Sequence, residues 1–122
     1  MTVIPNFILK RMYKQGSLRR ILKGIGFDIV NNLGPGQISQ INHIRLNDNG
    51  YGPEHVTLLV NNEPVSAQNI TEESPATFFL NQVITCVVRD EKIPGGLYKI
   101  TLDLISREAG KVIITVQDTL PA

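Results

Sequence analysis

The stretch Tyr98–Gln117, YKITLDLISREAGKVIITVQ, decides the fold. Tyr98, Ile100, Leu102 and Leu104 alternate with Lys99, Thr101 and Asp103. A strict period of two gives a strand one apolar and one polar face, so this run predicts a sheet with one side buried. After Arg107-Glu108-Ala109-Gly110, Val112, Ile114 and Val116 alternate in the same way with Lys111, Thr115 and Gln117. Two alternating runs joined by a short glycine-containing loop predict an antiparallel hairpin whose seven apolar residues face one core.

The rest of the chain is consistent with that hairpin. At 122 residues the length suits one domain, spanning 1–122, with no linker-like or repetitive stretch to divide it. Fifteen Ile, ten Val and eight Thr against four Ala favour strands, because β-branched side chains lose rotamer freedom in helices. Turn signals recur at Gly34-Pro35-Gly36, Asp48-Asn49-Gly50, Asn61-Asn62 and Pro94-Gly95-Gly96. Between them, Phe7–Tyr13, Ile25–Asn31, Gln37–Asn47, Val56–Val60 and Thr77–Arg89 have strand composition. Ile38, Ile41, Ile44 and Leu46 break strict alternation, which predicts a β-bulge near Gln40–Asn42. Thr77–Arg89 is apolar on both faces, as expected of a central strand. The expectation is an all-β chain: an antiparallel, jelly-roll-like β-sandwich of seven to eight strands.

Residues 17–25 admit two readings. Leu18, Ile21, Leu22 and Ile25 fall at helical spacing, with Arg19, Arg20 and Lys23 opposite and Ser17 placed as an N-cap. Gly24 and Gly26 limit such a helix to about two turns, too short to be stable without packing, and favour strand–turn–strand.

Charge is uneven along the chain. Twelve basic and eleven acidic residues nearly cancel, yet residues 1–27 hold Lys10, Arg11, Lys14, Arg19, Arg20 and Lys23 and no acid. With Tyr13 alone close enough to stack a base, this pattern argues against a nucleic-acid partner. It fits either a solvated face or a protein interface, for which Arg11, Tyr13, Arg19 and Arg20 are the candidate anchors. No apolar run is long enough to span a membrane, and the N-terminus lacks the pattern of an export signal. A cytoplasmic location is expected.

Residues that could do chemistry are sparse. His43 and His55 lack a third ligand for a metal, and no acid lies within four residues of His43. Glu54 is adjacent to His55 and would face away from it on a strand. Cys86 sits in an apolar run, where a thiol acts as a small buried hydrophobe. The pairs Glu72-Glu73 and Asp90-Glu91 lie at turns, with nothing to set their acidities apart. Gly24-Ile25-Gly26 and Gly34-Pro35-Gly36 lack the helix and Lys-Ser/Thr of a phosphate loop, and Ser17 and Ser106 lack a nucleophile-elbow context. The residues therefore nominate no catalytic, cofactor or metal site on this chain.

Several phrases together resemble a known family. Gly16-Ser17-Leu18-Arg19, Gly26-Phe27-Asp28-Ile29, Leu33-Gly34-Pro35-Gly36, Ile41-Asn42-His43-Ile44-Arg45-Leu46 and Pro94-Gly95-Gly96 precede the long final hairpin. The layout is similar to the small β subunit of bacterial C-glycoside deglycosidases. That resemblance implies an accessory, non-catalytic subunit of a carbon–carbon lyase. The complex would cleave a 3-keto sugar from an aromatic aglycone, as in flavonoid C-glycosides. It further implies a hetero-oligomer with a larger barrel-type α subunit that carries a divalent, Mn-like metal and the base. The other class left open is a stand-alone protein- or carbohydrate-binding module without catalytic activity.

Overall fold

The computed structural model describes residues 4–21 and 23–122. Leu22 of the helical pattern and the Met1–Val3 stretch lie outside the described residues. Among these residues ten strands form two antiparallel sheets. The first contains β1 (Arg19–Ile21), β2 (Gly24–Val30), β5 (Val56–Val60), β6 (Glu63–Ser66) and β8 (Val83–Val88), in the order β1-β2-β8-β5-β6. The second contains β3 (Gly36–Leu46), β4 (Asn49–Tyr51), β7 (Ala76–Phe78), β9 (Gly96–Ser106) and β10 (Gly110–Leu120). Its order is β10-β9-β3-β4, and β7 pairs with the start of β3.

The final hairpin forms as its alternation predicts. Val112 pairs with Leu104, Ile114 with Leu102 and Val116 with Ile100, and all seven expected core residues are buried. Ser106 closes the loop: its Oγ accepts the N–H groups of Glu108 and Ala109, both at 3.2 Å. Gly110, at φ 72°, supplies the left-handed residue. From the opposing sheet Ile25, Phe27, Ile29, Leu58, Ile84 and Cys86 complete the core.

Strand β3 is irregular for a reason legible in its apolar spacing. Its register against β9 slips between Ile38 and Gln40 and again between Ile41 and His43. Each slip absorbs one residue, so Ile38, Ile41, Ile44 and Leu46 all face inward despite unequal spacing. On either side of Leu22 the chain is strand, Arg19–Ile21 and Gly24–Val30, with Lys23 in a turn, and Ser17 caps no helix. Its Oγ instead accepts the Asp28 N–H at 3.0 Å.

Four expectations are corrected. Ten strands stand where seven to eight were expected, because β1, β4, β6 and β7 are runs of only three or four residues that composition does not announce. Phe7–Tyr13 is not a strand: Asn6–Leu9 is α-helical (α1) and Lys10–Met12 a 3-10 turn. Pro5, extended at φ −59°, starts the turn and accepts the N–H groups of Ile8 and Leu9. The turn buries Leu9 and Met12 and leaves Phe7, Lys10 and Arg11 outside. Thr77–Arg89 is two strands in different sheets, β7 and β8, separated at Phe79–Gln82. Asn81 takes φ 66° there, and the Phe79 N–H donates to Gln82 Oε1 at 2.7 Å. Asn49 and Gly50 are strand residues, and the turn before them is Asn47-Asp48.

Candidate functional site

The most distinctive surface lies at the end of the molecule where β2 and β7 finish and β3 and β8 begin. One residue organises this end. Asn31 is 3% exposed, and its Nδ2 donates to the carbonyls of Gly34 (2.6 Å) and Phe78 (2.8 Å). Its Oδ1 accepts the N–H groups of Leu33 and Gly34, each at 3.2 Å. The side-chain amide thus joins the β2–β3 loop to β7 with its polar atoms satisfied. Sequence reading passed over Asn31, although the Asn31-Asn32 doublet before Gly34-Pro35-Gly36 was a signal for such a knot.

Beside Asn31 is a cavity of about 240 Å³. Leu9 and Met12 from the N-terminal turn, Ile29, Ile38, Phe78 and Leu104 form its walls. The polar side chains along it are those of Asn31, Gln37, Ser106 and Glu108. Glu108 Oε1 accepts the Gln37 N–H at 2.9 Å, and that bond holds its carboxyl below the usual range. Around the same end Leu33, Phe79, Leu80 and Val83 are exposed, Phe79 by 60%. Large apolar side chains gathered at one end mark a binding surface more often than chance exposure.

The four candidate anchors do not form one exposed cluster. Tyr13 is buried, bridges β2 at Ile29 and gives its hydroxyl to Asp118 at 2.6 Å. Arg19 spans Asp28 (3.2 Å) and the Ser17 carbonyl (2.7 Å). Arg20 donates to the Ile93 carbonyl at 2.9 Å, and Arg11 is exposed.

The titratable residues have mainly structural partners. Strand pairing brings Asp103 opposite His43, and Nε2 lies 3.9 Å from its Oδ2. That acid is sixty residues away in sequence, which is why local reading missed it. Asp103 also accepts from Asn42 at 2.9 Å and has Lys111 at 4.0 Å. Glu54 does not face away from His55: Pro53–His55 is a 3-10 turn, which places the two 3.7 Å apart. Asp90 accepts the Lys92 N–H and the Tyr51 hydroxyl, and both bonds lower its acid range. Burial, then the bond to Asp90, pushes Tyr51 up to about 12. Cys86 is fully buried, and burial pushes its thiol up. Among the described residues no group of three or more His, Cys, Asp or Glu could hold a metal ion, and no helix is long and apolar enough to cross a membrane.

Residues 8–121 match the family described as hydroxymethylglutaryl-CoA reductase, N-terminal domain. No curated protein matches the chain. The family match overturns the resemblance to C-glycoside deglycosidase β subunits. With that resemblance fall the lyase function, the flavonoid-glycoside substrates and the accessory role in a deglycosidase complex. The partner's Mn-like metal was implied by the same resemblance and has no independent support. The phrases that carried the resemblance serve the fold itself. A Cβ at Gly26 would meet Ile21 Cδ1 at 2.9 Å, and Leu33-Gly34 is the loop that Asn31 ties. Such phrases report turns and tight packing between strands, which unrelated two-sheet proteins share.

Proposed function

The chain belongs to the hydroxymethylglutaryl-CoA reductase N-terminal domain family, and from that premise we propose that it is a non-catalytic accessory domain that docks on the catalytic part of such a reductase. The observation that carries this reading is the exposed apolar end formed by Leu33, Phe79, Leu80 and Val83. Aromatic and branched apolar groups on tight turns bury area against a partner at little entropic cost. The carboxylates described above accept hydrogen bonds that support turns and strands, a pattern suited to a scaffold. The larger partner expected from the sequence is, in this reading, the reductase's own catalytic portion. A jelly-roll-like closure of the two sheets and a cytoplasmic setting belong to the same proposal.

The test mixes the purified chain with the catalytic portion of a hydroxymethylglutaryl-CoA reductase and follows size-exclusion with light scattering. Co-elution is expected. A Phe79→Ser/Leu80→Ser variant should lose it while keeping the thermal midpoint. The chain alone should not oxidise NADPH with hydroxymethylglutaryl-CoA. Separate elution, an inert double variant or turnover by the chain alone would each overturn the reading.

A further inference from the structure

We propose that the cavity beside Asn31 is a small-molecule site that takes a compact hydrocarbon group ending in a hydrogen-bond donor, such as an amine or alcohol. Three observations converge on it. The first is size. An apolar cavity of 150 Å³ accepts benzene, so one of about 240 Å³ has room for a group of about ten carbon atoms. The second is lining. Ile29, Ile38, Phe78 and Leu104 offer no hydrogen bonds, and the amide of Asn31 is already engaged with Gly34, Phe78 and Leu33. The walls away from the mouth are therefore apolar, which suits a hydrocarbon body.

The third observation is the mouth. Glu108 is an exposed carboxylate on the cavity rim. Its Oε1 takes the Gln37 N–H at 2.9 Å and lies 3.4 Å from Ser106 Oγ. Neighbouring Arg107 does not line the cavity and donates to two neutral acceptors, Gln37 Oε1 (2.8 Å) and the Glu72 carbonyl (2.9 Å). The rim therefore presents an acceptor, which favours a donor-bearing head over an anionic one.

This site shares Leu33 with the docking surface, but Phe79 and Leu80, the residues varied in the docking test, do not line the cavity. The experiment titrates n-octylamine, n-octanol and n-octanoate into the full chain and follows methyl resonances by NMR. Octylamine and octanol should give saturable shifts at Ile29, Ile38, Leu104 and Val112, with octanoate at least tenfold weaker. Glu108→Gln should remove the preference of amine over octanoate and leave octanol unchanged. Ala109→Leu and Val112→Phe, each directed into the cavity, should separately weaken all three probes at least tenfold without lowering the thermal midpoint. If either filler proves unstable, the other and the location of the shifts still decide the matter. No saturable shift, shifts elsewhere on the protein, or octanoate as the tightest probe would overturn the proposal.

Discussion

The hydroxyl of Tyr13 donates to the carboxylate of Asp118 at 2.6 Å, joining residues 105 positions apart. Asp118 Oδ2 also accepts the N–H groups of Gly16 (3.1 Å) and Leu18 (3.2 Å). One carboxylate, 7% exposed, thus fastens the segment between the N-terminal turn and β1 to the last strand. Without it, the buried Tyr13 hydroxyl and Leu18 N–H would lose their acceptor.

Replacing this carboxylate is therefore costly. Asp118→Asn turns one acceptor atom into a donor facing other donors, and should destabilise by about 1–3 kcal/mol in urea unfolding. Burial raises the acid range of Asp118, but bonds from Tyr13, Thr119, Leu18 and Gly16 lower it further, so its net shift is downward. A lowered native value means that the contribution is complete above the unfolded value of about 4. It is lost as pH falls through the native value. Between pH 5 and 2 the variant should lose less stability than the parent.

Tyr13 gives the opposite sign. Burial, then the bond to Asp118, raises its hydroxyl well above 10.0. A raised native value means that stabilisation is complete below about pH 10 and lost as pH rises above it. The parent should show an alkaline decline in its urea midpoint that Tyr13→Phe reduces. An equal decline in both proteins would place the ionising group elsewhere.

Gly24 is fixed by close approach. A Cβ there would stand 1.9 Å from the Val88 carbonyl oxygen, a backbone atom of the adjacent strand. Gly24→Ala must separate β2 from β8 and should cost ~3 kcal/mol or more. Gly16 has open space around its Cβ position but φ +84°. Gly16→Ala should cost only ~1 kcal/mol, through backbone strain alone. Thermal midpoints of the two variants check the order.

Leu102 is 1% exposed between Ile44 and Ile114, whereas Leu97 on the same strand is 62% exposed. Leu102→Ala should cost ~2–5 kcal/mol by removing core contacts and leaving a void. Leu97→Ala should stay within about 0.5 kcal/mol of the parent. Denaturant midpoints at equal m-value measure both.

Periodicity made part of this protein readable without its structure. The alternation of Tyr98–Leu104 and Val112–Val116 is a local property of a strand, so the hairpin and its core face follow from residue order alone. The uneven spacing of Ile38, Ile41, Ile44 and Leu46 likewise announced slips in register, since only extra residues let all four point inward. Cys86 was legible as core because it lies in the apolar run that holds Val83, Ile84, Val87 and Val88.

Other features depend on residues that meet only after folding. Phe7–Tyr13 has strand-like composition, yet Asn6–Met12 turns helically because Leu9 and Met12 then bury beside Ile29 and Ile38 at the cavity wall. Phe79–Gln82 reads as the middle of one strand, but the chain there passes between sheets, and Asn81 at φ 66° permits it. His43 and Asp103, Tyr13 and Asp118, and the walls of the cavity come from distant segments whose register is set by pairing across the whole sheet. The sequence by itself determined the alternating strands and their buried faces, because side-chain direction in a strand repeats every two residues. Which strands meet, where a carboxylate finds its donors and where a cavity remains were decided by tertiary packing, because those free energies belong to pairs of segments that no local window contains.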